Sequence, residues 1–595
     1  MQFSVQAFSG IQPRLAPQFL DETKGRKAEN CRLDSGEFRA LARPGIVNRL
    51  NMGGVQGVYY HDAPMPQWLA WTEPVSVCSG FLADDPKLRT YFSDAEGVKM
   101  FTAKDVAPGR FDSTLLGIPA PTAKPQVAGN GNGDGEASTT NYVFTLVSEH
   151  GEEGPPSPPS DDITAMPGET VTVSGLLMPD VAGRNRITAK RIYRVNVGAS
   201  GSAAHQFVAE IEADVIEFTD TVAAGDLGEV LPSNDWTAPV PGLQGLTAMP
   251  GGFLAAFKGR DLWFSLPGYP HAWPLRFNLT VGFDVKALAR TGNTLAVLTC
   301  GVPSVVDCTD VSMMTVRDLE GSAPCASARG VVSTQYGVIY PGLDGLYLIT
   351  AASTAARNVS RQIFSDEDWN AMRPETMCAF WFQDQYICFF EGGRGERRGF
   401  IFEFGEPPVV RELGFHAVAG MVREKGNTLY LACENGAVTE IAEWAASPFT
   451  FRSEFRSREF RASFPVNMAA AQVEADYLST ITEEEFEQRR RELLASYADL
   501  LSRDDYGGAV GDSPAGEHVF GGDVMDTVNV PYSECPQVTF QLWGDGELRY
   551  TRNVSNDRPF PLPKGYAARR WEFAVAADVP VSAIRIAPSM QELAE

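Results

Sequence analysis

Six histidines stand singly along 595 residues, and none of the nine cysteines forms a Cys-x-x-Cys pair. Structural zinc sites need such paired thiolates or imidazoles, so no zinc framework is expected. The cysteines (Cys31, Cys78, Cys300, Cys308, Cys325, Cys378, Cys388, Cys433 and Cys535) are odd in number. That count speaks against a disulfide framework and for reduced, mostly buried thiols made in a cytoplasm. No run of 18 apolar residues occurs. The start "MQFSVQAFSGIQPR" has no basic segment ahead of an apolar core. Neither a membrane span nor a signal peptide is expected. Also missing are His-Glu-x-x-His, Gly-x-Ser-x-Gly and the phosphate-binding loop. The run "NGNGDGE" spaces Asn130, Asn132 and Asp134 as a calcium loop does, but the twelfth place holds Asn141 where a bidentate Glu is required. The expectation is therefore no catalytic residue, no cofactor and no metal.

What is present points to many short strands. Gly (56) and Pro (40) favour turns over long helices. Five segments each place an apolar strand, a turn and a second apolar strand: "GLTAMPGGFLAAFKGRDLWFSLP", "ALARTGNTLAVLTCGVPSVVD", "GVVSTQYGVIYPGLDGLYLITAA", "TMCAFWFQDQYICFFEGG" and "HAVAGMVREKGNTLYLACENGAVTEIAE". Their starts recur roughly every 40–46 residues, the period of propeller blades. Residues 57–103 resemble one more unit. The predicted fold is mainly β, a β-propeller of about six blades; a pair of stacked sandwiches would use the same strands. Within it, "DLWFSLPGYPHAWP" gathers Trp263, Phe264, Tyr269, His271 and Trp273, read as filling between blades ahead of a sugar-stacking surface.

The domains read as follows. Residues 1–50 form an N-terminal assembly arm, 51–118 the first propeller part, and 119–141 a Gly/Asn-rich linker. Residues 142–235 alternate apolar and polar positions, as a small inserted β-sandwich of fibronectin-III or immunoglobulin type does. The propeller resumes over 236–450. Residues 451–595 form a C-terminal β-region carrying one long helix, 482–501. Thr482 and Glu485 make a capping box there, and Phe486, Leu493, Leu494, Tyr497, Leu500 and Leu501 make an apolar stripe.

Charge is uneven. Eight basic residues in 1–50 face five acidic ones, a surplus of three positive charges, while the whole chain stands at −25. The remaining −28 repels nucleic-acid phosphate and suits solubility or a wall that must not hold DNA. Within the basic segment Arg14, Lys24, Arg26 and Lys27 are the candidate assembly contacts. In the helix Phe486, Leu493, Tyr497 and Leu500 are. A segment packed on its own propeller would account for the same basic residues.

The stretch "FSGIQPRLAPQFLDETKGRKAENCRLDSGEFRAL" resembles the N-termini of bacteriophage tail structural proteins. In these a Gly-x-x-Pro-Arg element leads to Ala-x-Asn-Cys-x-Leu-x-x-Gly, matched by Gly10, Pro13, Arg14, Ala28, Asn30, Cys31, Leu33 and Gly36. "FSLPGYPHAWP" and "FRSREFRASFPVN" resemble later motifs of the same group. The type is similar to the hub or nozzle (packaged-DNA stabilisation) proteins of short-tailed phages. That resemblance implies a non-enzymatic virion protein, assembled in the host bacterial cytoplasm and forming a homohexameric ring. A portal adaptor would lie above it and tail fibres or a needle or plug below, with DNA passing through transiently and without specific binding. The alternatives are a peripheral receptor- or glycan-binding tail component and a propeller enzyme degrading glycans.

Overall fold

The computed structural model describes residues 2–594 except 63–65, 83–84, 86, 108–109, 181–185, 198–202, 394, 478–487, 489–490 and 492–537. Seven innermost strands surround one central channel. Five belong to four-stranded antiparallel sheets, Cys378–Phe382 begins a ten-stranded sheet, and Gly57–His61 pairs only with Gln67–Trp71. In ring order the two-stranded unit comes first. The second starts at Ser76–Ser79, the third at Gln244–Met249 and the fourth at Val285–Thr291. The fifth, sixth and seventh start at Val332–Thr334, Cys378–Phe382 and Ala419–Arg423. The fold is a β-propeller. Among the described residues the about six blades expected are five four-stranded sheets and a sixth blade whose four strands begin the ten-stranded sheet. The segment 51–118 carries one of these plus the two-stranded unit, where the sequence pattern suggested a single unit.

Hairpin geometry follows from local chemistry. In "WFQDQY" both Gln383 and Asp384 have positive φ (50° and 59°), as a two-residue turn matching the strand twist requires. Between units, apolar faces stack: Phe253, Leu262, Phe264, Leu295 and Val297 form one such layer, and Leu298, Val305, Val338 and Tyr340 the next. The last unit is closed by the N-terminal strand Gly45–Leu50, which pairs antiparallel with Val438–Glu443.

The insert is a small sandwich. One sheet holds Gln126–Gly129, Val171–Ser174 and Glu217–Asp220; another holds Tyr142–Ser148, Ile187–Val197 and Ala203–Glu212. Residues 119–141 are thus not a plain linker. Gln126–Gly129 is a sheet strand, and Ser138–Thr140 pairs with Ile163–Ala165. The "NGNGDGE" run is the turn between them, held by the Gly131 amide donating to Glu169 at 2.8 Å and Asn130 Nδ2 donating to Thr170 Oγ1 at 2.6 Å.

The C-terminal region is a second sandwich, built jointly with the N-terminus. Phe3–Val5, Val581–Ala587, Ala470–Ala475 and Phe560–Pro561 make one sheet. Facing it, Ser453–Ser457, Ala568–Ala577, Val538–Gly544 and Glu547–Val554 continue the sixth blade. The strand Gly25–Glu29 joins them, pairing parallel with Val409–Leu413 and antiparallel with Ser453–Ser457. The ten-stranded sheet that results spans propeller and sandwich, and one apolar core runs under both, from Trp369 and Phe400 to Phe455, Trp571 and Ile584. Of 482–501 only Gln488 and Arg491 are described, both helical. Phe486, Leu493, Tyr497 and Leu500 lie outside the described residues.

Candidate functional site

The expected arm is the feature the structure most revises. Residues 2–50 do not project; they enter the sandwich sheet, pass between the sixth blade and the sandwich, and end as a strand of the last unit. Gly10 sits at φ +82°, and a Cβ there would run into the Val410 carbonyl oxygen. A Cβ at Gly25 would stand 2.6 Å from the Arg456 carbonyl oxygen. Only glycine lets the two strands close at these points. Asn30 takes a left-handed φ of 53°, which frees its side chain to accept the Gly414 amide at 2.8 Å, while its carbonyl accepts the Ser453 hydroxyl. The Cys31 carbonyl accepts Nη1 of the buried Arg411 at 2.8 Å. Burial pushes the Cys31 thiol up to about 12, so it is a packing residue and not a nucleophile.

The four basic candidates are all engaged within the chain. Arg14 donates to the Arg361 carbonyl at 2.8 Å. Lys24 is 3% exposed and donates to the Ser9 and Pro408 carbonyls at 2.7 and 3.2 Å; its burial lowers its pKa. Lys27 bridges Glu29 and Glu454 at 3.0 and 2.7 Å. Arg26 and Arg456 converge on Glu572, at 2.8 and 2.7 Å, with the Arg456 guanidinium 4.2 Å from the Trp543 ring centroid. Within the chain these four are engaged as clamps, and Arg14 and Arg26 remain exposed. Their charges are used where three strands far apart in sequence meet and polar backbone would otherwise be buried without partners.

The propeller channel is a cavity of about 740 Å³. Its charged lining is Arg290, Arg329, Arg423 and Lys425 against Asp62 and Glu424, a positive balance inside an acidic chain. Arg423 pairs with Asp62 and lies 5.0 Å from the Tyr60 ring centroid, and Arg329, ahead of the fifth unit, donates to the Val418 carbonyl ahead of the seventh. Both tie inner strands together. The volume is that of a small-molecule pocket.

A third polar cluster fastens the insert to the propeller. Arg89 holds Asp85 at 3.0 Å and the buried Glu152 at 2.6 Å. His271 Nδ1 stands 3.8 Å from Glu152, with Trp236 and Tyr269 packed on its ring. Burial raises the Glu152 pKa and drives that of His271 down to about 4. His271 is therefore a neutral core residue at pH 7, and Trp273 beside it is fully buried with its indole N–H on the Pro270 carbonyl at 2.8 Å. Sequence reasoning missed Glu152, Glu572 and Arg411. The one local signal was their type: an acid and an arginine inside the strands Ala568–Ala577 and Val409–Leu413, and an acid in the turn after Tyr142–Ser148.

Among the described residues no group of three His, Cys, Asp or Glu side chains is placed to hold a metal, and no helix is long and apolar enough to cross a membrane. What these clusters do chemically is clamp strands.

No family model and no curated protein matches the sequence. Among solved structures the chain is similar to the N-terminal domain of Nup159, at 11% identity and TM-score 0.26, over 42% of this chain and 70% of that one. It is also similar to BBS1N in complex with ARL6DN, at 10% identity and TM-score 0.27, over 69% of this chain and 99% of that one. A third is the S. cerevisiae Dbp5 complex with Nup159, Gle1, IP6 and ADP, at 9% identity and TM-score 0.25, over 55% and 82%. At these scores none bears on what the chain does.

Proposed function

We propose that this chain is a structural subunit of a bacteriophage tail, a hub or nozzle protein that assembles as a ring around the path of DNA ejection. The observation that carries the reading is what the motif residues do. Gly10, Arg14, Ala28, Asn30, Cys31, Leu33 and Gly36 carry the resemblance to that group, and they lie in the clasp that joins propeller and sandwich. A motif used as architecture, in a protein whose polar clusters are all clamps, suits a part that bears load. DNA would pass between copies of the chain, since the propeller channel has only a ligand-sized volume. The acidic surface then keeps phosphate from adhering to that lumen.

In this reading six copies form the ring, a portal adaptor lies above and fibres or a needle lie below, all assembled in the host cytoplasm before incorporation in the virion. Native mass spectrometry of the full chain at low salt tests it. A closed oligomer, six copies expected, supports the ring; a monomer at every concentration, with or without the adaptor, removes it.

One observation favours the second reading, a peripheral glycan-binding component. A cavity of about 340 Å³ between the first two units is lined by Tyr59, Phe81 and Tyr91 beside Asp85 and Arg89. Saccharide titration followed by tryptophan fluorescence separates the two, since a nozzle needs no such ligand.

A further inference from the structure

Seven units follow one another round the channel in chain order. The insert leaves after the second unit and returns at the third, while the C-terminal sheet is spliced onto the sixth. The two appendages therefore stand about half the circumference apart. The splice also carries the sheet away from the channel. Glu547–Val554 is the ninth strand of that path, so at a strand spacing of about 4.8 Å it lies roughly 35–40 Å from the innermost one.

These opposite extremities carry opposite charge. Residues 545–570 hold six basic side chains (Arg549, Arg552, Arg558, Lys564, Arg569, Arg570) against three acidic ones, a surplus of three. All six basic residues are exposed, and among the described residues no strand pairs the outer side of Glu547–Val554. Nearby, Arg461 and Arg570 are direct cross-strand neighbours, each with an acid of its own chain beside it, Glu459 at 2.7 Å and Asp545 at 3.5 Å. On the insert, residues 203–229 hold seven acids and no lysine or arginine. Glu210, Glu212, Asp214, Glu217, Asp226 and Glu229 are exposed. Each extremity also bears exposed apolar side chains: Leu548 on the basic one, Ile216 and Val230 on the acidic one.

We infer that neighbouring copies meet head to tail, the basic outer strand of one C-terminal sandwich seating on the acidic outer face of the next copy's insert. The inference rests on the ring proposed above and names its interface. A heterologous contact between two different patches on opposite sides of a subunit is what generates rings. Complementary rims steer the encounter, and Leu548 against Ile216 and Val230 would supply the dry centre.

The test uses the full chain in sedimentation velocity at low and high salt. Arg549→Glu with Arg552→Glu, and separately Glu212→Arg with Glu217→Arg, should each raise the half-association concentration by roughly tenfold or more. Equimolar mixing of the two variants should restore association, because each altered rim then meets its complement. Unchanged thermal melting of each variant alone confirms that folding is intact. If the variants assemble as the unaltered chain does, the ring stands and this interface falls. If the unaltered chain never associates, the ring reading falls and takes the interface with it. Loss of salt-dependent DNA binding with association intact would reassign the basic rim to nucleic acid and overturn the inference.

Discussion

Replacing Glu572 by alanine removes the anion at which the N-terminal strand, the sandwich and its facing strand are tied. Glu572 is 4% exposed and accepts Arg26 Nη1 at 2.8 and 3.0 Å and Arg456 Nε at 2.7 Å. Its loss leaves two guanidinium groups beside an apolar gap. Breaking a fully buried pair costs about 3–5 kcal/mol. The Arg26 side chain is 41% exposed and that of Arg456 23%, so water screens part of the damage. The expected loss is about 2–3 kcal/mol. A 595-residue chain of several sheets does not unfold in one step, so the effect is best read locally. Hydrogen exchange of the amides in Gly25–Glu29 and Ala568–Ala577 should speed up roughly 30- to 150-fold, while amides of the fourth blade stay unchanged. Glu572→Gln keeps the shape and one acceptor oxygen and should lose somewhat less free energy than the alanine variant. Exchange altered by less than about threefold in the alanine variant would refute the claim that this cluster holds the splice.

Other outcomes follow from the same contacts. Deleting residues 1–40 uncovers strand edges at Val409–Leu413 and Ser453–Ser457 and removes Phe8 and Phe38 from the shared core, so the product should aggregate on expression and not yield a folded propeller; a monodisperse, cooperatively melting product would contradict this. His271 has its folded pKa lowered to about 4 from 6.5, so its contribution to stability is complete above pH 6.5 and lost as pH falls toward 4, about 3 kcal/mol in all. His271→Gln should flatten melting temperature against pH across that window, and an unchanged slope would count against the assignment. Of the eight described cysteines only Cys300 is exposed, so a thiol reagent should modify it promptly and leave Cys31, Cys78 and Cys325, whose thiols are pushed up to about 12, untouched in the folded chain; peptide mapping checks the order.

Blades were legible because a hairpin is local. An apolar strand, a Gly- or Asn-bearing turn and a returning strand lie within about 20 residues of one another, and five of them recur at a steady period. The insert was legible for the same reason, as alternation in "VTVSGL" and "AKRIYRVNV". The clasp was not. Gly25–Glu29 pairs with residues near 410 and 455, and "GRKAE" has no apolar run to mark it as a central strand. Its charges suggested contacts to another subunit, yet Lys24 is satisfied by carbonyls and Arg26 by a distant glutamate, partners that no window on the sequence contains. The strands at 126–129 and 138–140 were hidden in the same way, because glycine and asparagine at the turn outweighed the short "QVAG" and "STT" beside it. Nor did spacing separate the two-stranded unit from its neighbour, since Gln67–Trp71 and Ser76–Ser79 are joined by only a few residues.

The most direct measurement is a cryo-EM reconstruction of assembled tails containing this chain, resolved well enough to follow its propeller. The account predicts a ring of six copies coaxial with the DNA path, each C-terminal sandwich against the next copy's insert and the lumen between subunits. A chain found singly at the periphery, or a ring with DNA threading the propeller channel itself, would contradict it.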